Sequence, residues 1–442
     1  MLVLKKILVL GAGRIARPCI QYLLSHEKYE VYVADISSEN IDRCIGDKKN
    51  GYALVGNAMD KLPEVLKEIS PDLLICLLPP AFMVPAAKAC VDAGIHYVNP
   101  SYVKAEMKAL DEEAKKKNVS LLCELGLDPG IDHMSATKTI MEIHSQGGKV
   151  LSFKSWCGAL PALKDNNNPV GYKLSWAPAS LIGASRREAK IIKDGKVIIL
   201  PNGDTYRHPS LVEIQGMGWF EEYANADSTP YVETYGMPEV TEVYRGTLRF
   251  VGWCEMICKM QDLGLYNPGE HDFTGMTYAD VTRRLLGAAK GECLMTALCN
   301  FLKIDSFSSV ALKLEWLGLF DEKPVPIKKG TMFDFVECLY SDKLSFAEGE
   351  QDLSVMEHRY VVQYPKSKVL KKSTLVDYGI KGGDTSIARL TGLPPAMGAH
   401  LLLEGKIDKK GVLTPTMPEV FEPELKELEN LGIKFIETET VI

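Results

Sequence analysis

Apolar residues fill positions 7–10 (ILVL) without a break, stop at Gly11-Ala12-Gly13, and return from Ile15 at helical spacing. The chain therefore opens with a strand, a tight turn and a helix. A second apolar run, Val31-Tyr32-Val33-Ala34, ends in Asp35, and a third, residues 72–78, is cut off by Pro79 and Pro80. The third run is apolar over strand length, as a parallel strand covered on both faces must be. Residues 85–93 carry small apolar side chains on one helical face, and Tyr97-Val98 reads as a short strand. In residues 105–118, Glu106, Asp111, Glu112 and Glu113 precede Lys115, Lys116 and Lys117, the charge order that a helix dipole favours. Residues 119–124 restore a strand. This alternation predicts an α/β fold, a doubly wound parallel sheet over residues 1 to about 126 that binds its ligand at the C-terminal strand ends.

The pattern breaks at the turn-rich, polar segment 126–133 (GLDPGIDH). Strand-like pieces follow at 151–156, 197–200 and 246–251 between Gly, Pro and Asn loops. Helical patterns occupy 277–288 and 293–302, and two strand-like runs, 357–364 and 368–378, are expected to pair as a hairpin. A helix is expected over 385–405, interrupted at Gly392 and restarted by Pro394-Pro395, with Gly405 as its stop. The expected domains are 1–130 with 385–442, an α+β substrate domain of 131–260 with 353–384, and a mainly α-helical subdomain over 261–352.

The first turn carries chemistry. Between a strand and a helix, Gly11, Ala12, Gly13, Arg14 and Ile15 form a loop suited to a dinucleotide pyrophosphate: Gly11 permits the turn, Gly13 removes a Cβ from the phosphate path, and Ala16 stands where a third glycine often does. Asp35 lies about 20 residues further on, where an acid accepts the ribose hydroxyls and repels an added 2′-phosphate. Ile36, Ser37 and Ser38 follow it without an arginine. NAD is therefore favoured, with NADP possible.

Composition removes several classes. A net charge of −7 argues against nucleic acid or an anionic membrane as partner, and no stretch approaches the length of a membrane span. Eleven scattered cysteines without a signal peptide suggest reduced thiols in the cytoplasm. Cys254 and Cys258 have no second pair or histidine at zinc-like spacing, so no metal is expected.

Taken with 126–133, the segments CGALPA (157–162), NNPVGYKLSW (167–176), DSTPY (227–231), YRGTLRF (244–250) and GLPPAMGAHLLLEGKI (392–407) resemble the L-glutamate-forming saccharopine dehydrogenase (saccharopine reductase) family. The resemblance implies a Rossmann domain completed by C-terminal residues, a substrate domain and a helical insertion. It also implies a reaction of lysine metabolism: NAD(P)+ oxidises the secondary amine of saccharopine, and hydrolysis yields glutamate and α-aminoadipate semialdehyde, or the reverse. A homodimer through the substrate domain is expected. Such chemistry needs a base, for which Asp128, Cys157 and Tyr102 are the candidates; His133 is expected to be a helix-start residue. The family's substrate contacts fall on Ser101, Tyr102, Asp128, Thr247, Leu248 and Arg249, the last as a carboxylate clamp. Its cofactor contacts fall on the glycine loop, Asp35, Ile36, Ser37, Asn57, Ala58, Leu78 and Pro79, with Ser175 and Trp176 alongside. One departure stands out. The family usually reads Asn-Arg-Asp-Ser, with the arginine on a substrate carboxylate, where this chain has Asn225-Ala226-Asp227-Ser228. Either Arg186, Arg187, Arg207 or Arg245 compensates, or the substrate is a different amino-acid conjugate. A dinucleotide-binding protein without turnover is the remaining alternative.

Overall fold

Alternate residues of the first strand, Lys5–Leu10, enter different cores: Ile7 and Val9 one, Leu8 and Leu10 the other. That is how a strand covered on both faces packs. The protein is described here from a computed structural model covering residues 4–442. Seven parallel strands lie in the order Gly411–Leu413, Ser120–Leu122, His96–Val98, Leu73–Cys76, Lys5–Leu10, Tyr29–Asp35, Gly51–Val55. The order reverses between Lys5–Leu10 and Leu73–Cys76, and sheets of this kind bind ligands beyond the C-terminal ends at such a switch point. The doubly wound α/β architecture expected from the alternation is the one observed.

Two expected helices differ. Residues 105–118 form two short helices, Ala105–Lys108 and Asp111–Lys116, and the break lets Asp111 Oδ1 accept the Val412 N–H at 2.8 Å on the outermost strand. The helix expected over 385–405 runs uninterrupted from Ser386 to Leu403 with Pro394 and Pro395 inside it. Its burial against the helix Ala16–Leu24 outweighs the two missing N–H donors. Gly392 permits this approach, since a Cβ there would run into the Ile15 carbonyl oxygen.

The chain packs as two units, and the boundaries differ from those expected. The first comprises the described residues up to Gly148, Thr234–Gly236 and Gly383–Ile436. It retains the helix Ile131–Ser145, which packs on the helix Pro418–Asn430. The second unit, Lys149–Glu233 with Met237–Gly382 and Glu437–Ile442, holds both the second sheet and the helical segment, because one continuous core joins them. Its mixed sheet runs Ser210–Ile214, Gly218–Ala224, Glu242–Arg249, Lys149–Pro161, Asp352–Gln363, Lys368–Tyr378, Ile436–Val441, with Ala189–Lys193 and Lys196–Leu200 as a side hairpin. The pairing of Asp352–Gln363 with Lys368–Tyr378 is antiparallel, as expected. All eleven cysteines are free thiols. Among the described residues no helix is long and apolar enough to cross a membrane, and no cluster of three or more His, Cys, Asp or Glu could hold a metal.

One buried acid makes the first unit sensitive to pH. Glu424 is 1% exposed and, among the described residues, neither carboxyl oxygen has a hydrogen-bond partner, so burial pushes its pKa well above the carboxylate range. An unfolded glutamate titrates near ~4.3. The folded state keeps the proton to higher pH, so the cost of Glu424 is least below the unfolded pKa and grows as pH rises through the folded one. Glu424→Met is expected to stabilise the protein by about 1–3 kcal/mol at pH 8 and by less at pH 5, read from urea melts.

Candidate functional site

The glycine turn is built at the switch point. Gly11 has φ +98, its N–H donates to the Ala34 carbonyl at 2.8 Å, and a Cβ on it would lie 3.2 Å from the Leu77 carbonyl and 3.3 Å from the Leu78 side chain. Only glycine suits that conformation and that contact. Gly13 differs, because a Cβ there would meet nothing within 4 Å. The backbone there is open to a ligand's approach. The helix Ala16–Leu24 begins beside it with Ile15 at its N-cap and no side-chain cap; the Ala16 N–H donates to the Gly13 carbonyl at 3.2 Å and Pro18 has none, so Arg17 is the residue among its first three whose N–H suits an anion. These features fit a dinucleotide pyrophosphate.

Asp35 braces this turn. Its Oδ2 accepts the Ala12 N–H at 2.7 Å and its Oδ1 accepts the Ser37 N–H at 2.9 Å, while Ser37 caps the helix Ser38–Ile45. Ile36 is exposed. Arg43, which the sequence reading did not single out, donates from Nη2 to the carbonyls of Ala12 (3.1 Å) and Gly13 (3.3 Å). Asn57 caps the short helix Ala58–Lys61, and Pro79 precedes Pro80–Phe82.

Beyond the same sheet, Tyr102 donates its phenol proton to Asp128 Oδ1 at 2.5 Å. The turn bearing Asp128 is tight: a Cβ on Gly130 would collide with Gly126, and the Gly130 N–H donates to Asp132 Oδ1 at 2.6 Å. Ser101 lies in the same loop as Tyr102, its N–H held by Asn99 Oδ1 at 2.7 Å. His133 stands at the start of the helix Ile131–Ser145, as expected, but it is buried and bonded to Tyr235 through Nδ1 at 2.7 Å. Of the expected residues of the first unit, the structure thus brings together Ser101, Tyr102 and Asp128.

The second unit gathers the others. Thr247, Leu248 and Arg249 end the strand Glu242–Arg249, with Thr247 in register with Cys157 on the neighbouring parallel strand. Leu248 has its side chain fully buried against Gly158, and its carbonyl accepts Arg249 Nη1 at 2.7 Å. Any polar contact from position 248 therefore comes from the backbone. Arg249 is 3% exposed, makes no ion pair among the described residues, and has an Nε without a partner. Its guanidinium is 5.0 Å from the Tyr172 ring centroid, 5.6 Å from Trp253 and 5.9 Å from Tyr223. A buried cation surrounded by π faces and one carbonyl is poised for an anion. Tyr172 also accepts the indole N–H of Trp176 at 2.7 Å, and burial raises its phenol pKa. The GYKLSW run held this tyrosine in plain view, but only packing reveals that it links Trp176 to Arg249.

Among the four arginines considered as substitutes near Ala226, Arg207 is bound to Asp262 at 2.7 Å and Arg186 lies over Phe333. Arg245 is buried beside Ala226: its carbonyl accepts the Asn225 N–H at 2.8 Å, and its guanidinium lies 4.2 Å from the Tyr231 ring centroid.

Two family models cover almost all of these residues. Residues 7–122 match the saccharopine dehydrogenase NADP binding domain and residues 126–433 the saccharopine dehydrogenase C-terminal domain. The chain belongs to the saccharopine dehydrogenase family. It is 32% identical to saccharopine dehydrogenase (NADP(+), L-glutamate-forming) of Schizosaccharomyces pombe over 98% of each chain, and 32% identical to that of Saccharomyces cerevisiae over 99% of each. It is also 32% identical to the mitochondrial alpha-aminoadipic semialdehyde synthase of Bos taurus, matching 99% of this chain but 48% of that protein. The apo Saccharomyces cerevisiae L-Glu-forming enzyme superposes with a TM-score of 0.90 at 30% identity, covering 99% of this chain and 100% of that one. This saccharopine dehydrogenase family member thus binds a nicotinamide dinucleotide in its first unit.

The contrast between the two glycines makes a test. Gly13→Val is expected to leave urea stability within about 0.5 kcal/mol while weakening dinucleotide binding roughly 100-fold, about 2.8 kcal/mol, measured by calorimetric titration. Gly11→Val is expected to destabilise the fold itself by about 1–3 kcal/mol.

Proposed function

We propose that this saccharopine dehydrogenase family member oxidises the secondary amine of saccharopine, or forms it by the reverse reductive condensation. The bound nicotinamide dinucleotide supplies a two-electron acceptor for the hydride that leaves the carbon next to nitrogen. That transfer requires a neutral amine, so the resting ammonium must first lose a proton. Asp128 is assigned to hold the ammonium and receive the proton, with the Tyr102 phenol fixing the orientation of the carboxylate. Water then adds to the resulting imine, and breaking the carbon–nitrogen bond releases L-glutamate and α-aminoadipate semialdehyde. Cys157 and Thr247 are assigned to line the substrate site, Ser101 to contribute hydrogen bonds, and Arg249 to pair with a carboxylate. The observation that carries this reading is the 2.5 Å Tyr102–Asp128 hydrogen bond beyond the sheet that holds the glycine turn, in a chain alike end to end with the L-glutamate-forming enzymes.

NAD is the proposed cofactor. A 2′-phosphate at the end of Tyr29–Asp35 would face the Asp35 carboxylate, and Ile36 offers no charge to offset it. The fungal relatives are named for NADP(+), and Arg43 beside the glycine turn is the residue that would favour the same choice here. A second substrate reading rests on Ala226, where the loss of an arginine suits a conjugate with one carboxylate fewer; under the first reading Arg245 takes over that contact.

Reduced-nicotinamide absorbance with saccharopine and each cofactor tests all three assignments. Reduction of NAD+ with glutamate as product is expected, with kcat/KM exceeding that for NADP+ by about tenfold or more. Asp128→Asn is expected to lower kcat by ~10²–10⁴. Absence of turnover from folded, dinucleotide-binding protein would remove saccharopine as substrate, and activity gained by Ala226→Arg would support the second reading.

A further inference from the structure

Glu124 stands just past the strand Ser120–Leu122 with φ +62, a left-handed conformation that residues other than glycine hold only where their surroundings demand it. Its contacts show the demand. The Glu124 N–H donates to the Ser101 carbonyl at 3.2 Å, Oε1 accepts the Val103 N–H at 2.7 Å, and Oε2 lies 3.1 Å from His133 Nε2. The first two contacts grip the residues on either side of Tyr102. The third sets the same carboxylate in close acid–imidazole contact, outside hydrogen-bond geometry, with the helix Ile131–Ser145, which starts directly after the Asp128 turn. One side chain therefore connects both segments that carry the Tyr102–Asp128 pair. Tyr102 is 42% exposed and sits outside helix and strand, so packing alone holds it weakly. Hydrogen bonds to an ionised carboxylate are strong enough to take over that role.

We propose that Glu124 is a positioning residue that sets the Tyr102 phenol against the Asp128 carboxylate, and through it the orientation in which Asp128 meets the substrate amine. The proposal rests on the roles given above to Tyr102 and Asp128, and its test separates the two. The full chain is labelled with carbon-13 at the tyrosine Cζ, and the Tyr102 resonance is identified by its loss in Tyr102→Phe. Glu124→Gly suits the left-handed backbone and deletes the side chain. It is expected to shift the Tyr102 resonance in the direction that Asp128→Asn does, and to lower kcat roughly 10- to 100-fold with the dinucleotide KM nearly unchanged. Glu124→Gln keeps an acceptor for the Val103 N–H and is expected to restore most of both. In a double-mutant cycle, Glu124→Gly should cost little further in a Tyr102→Phe background. An unmoved Tyr102 resonance, or fully additive losses in the cycle, overturns the proposal. A shifted resonance with Tyr102→Phe fully active leaves the positioning intact and removes the catalytic role of the pair instead.

Discussion

The first unit depends on one close approach, that of the Gly392 α-carbon to the carbonyl oxygen of Ile15. It brings the helix Ser386–Leu403 onto the first turn of the helix that follows the glycine loop, and so joins residues 377 positions apart (392 − 15) around one core. The outermost strand, Gly411–Leu413, and the helix Pro418–Asn430 follow from this return. Because Ile15 closes the glycine turn and caps Ala16–Leu24, the same contact holds that turn in place at the end of the sheet. A glycine inside a helix is costly in isolation; here the cost is offset by the burial that closer helices allow.

Buried charge is the second organising constraint. Arg249, Glu424 and His133 are buried, with Glu124 half-buried beside the last, and they differ in what surrounds them. Glu424 has neither carboxyl oxygen hydrogen-bonded among the described residues, and burial raises its pKa. Arg249 remains cationic among aromatic faces, as a guanidinium does even when desolvated, and this makes it a standing attraction for an anionic group. Glu124 accepts the Val103 N–H and approaches the His133 imidazole from a left-handed backbone conformation.

The parallel sheet was legible because both-face burial writes uninterrupted apolar runs, as at 7–10 and 73–76, and the glycine turn because its chemistry is confined to a few adjacent residues. Asp35 was legible as an acid at the end of the second strand, but its two hydrogen bonds to the Ala12 and Ser37 N–H groups, which make it a brace of the turn, were not. The helix through Pro394-Pro395 was misread as broken because local propensity cannot register the burial that outweighs it. Domain boundaries were misplaced for a related reason: the helices beyond residue 252 share their core with the sheet of the second unit, and composition does not record which surfaces meet.

The sequence by itself determined the strand–turn–helix entry, the acid at Asp35, the segments that mark the family, and the residue types available for amine and carboxylate chemistry. All of these lie in short stretches, where covalent neighbours set conformation and chemistry together. Only the tertiary structure decided that Tyr102 meets Asp128, that Arg249 is enclosed by Tyr172, Trp253 and Tyr223, and that Glu124 spans two loops. Those contacts join residues distant along the chain, and side-chain distance and burial exist only once the chain has packed.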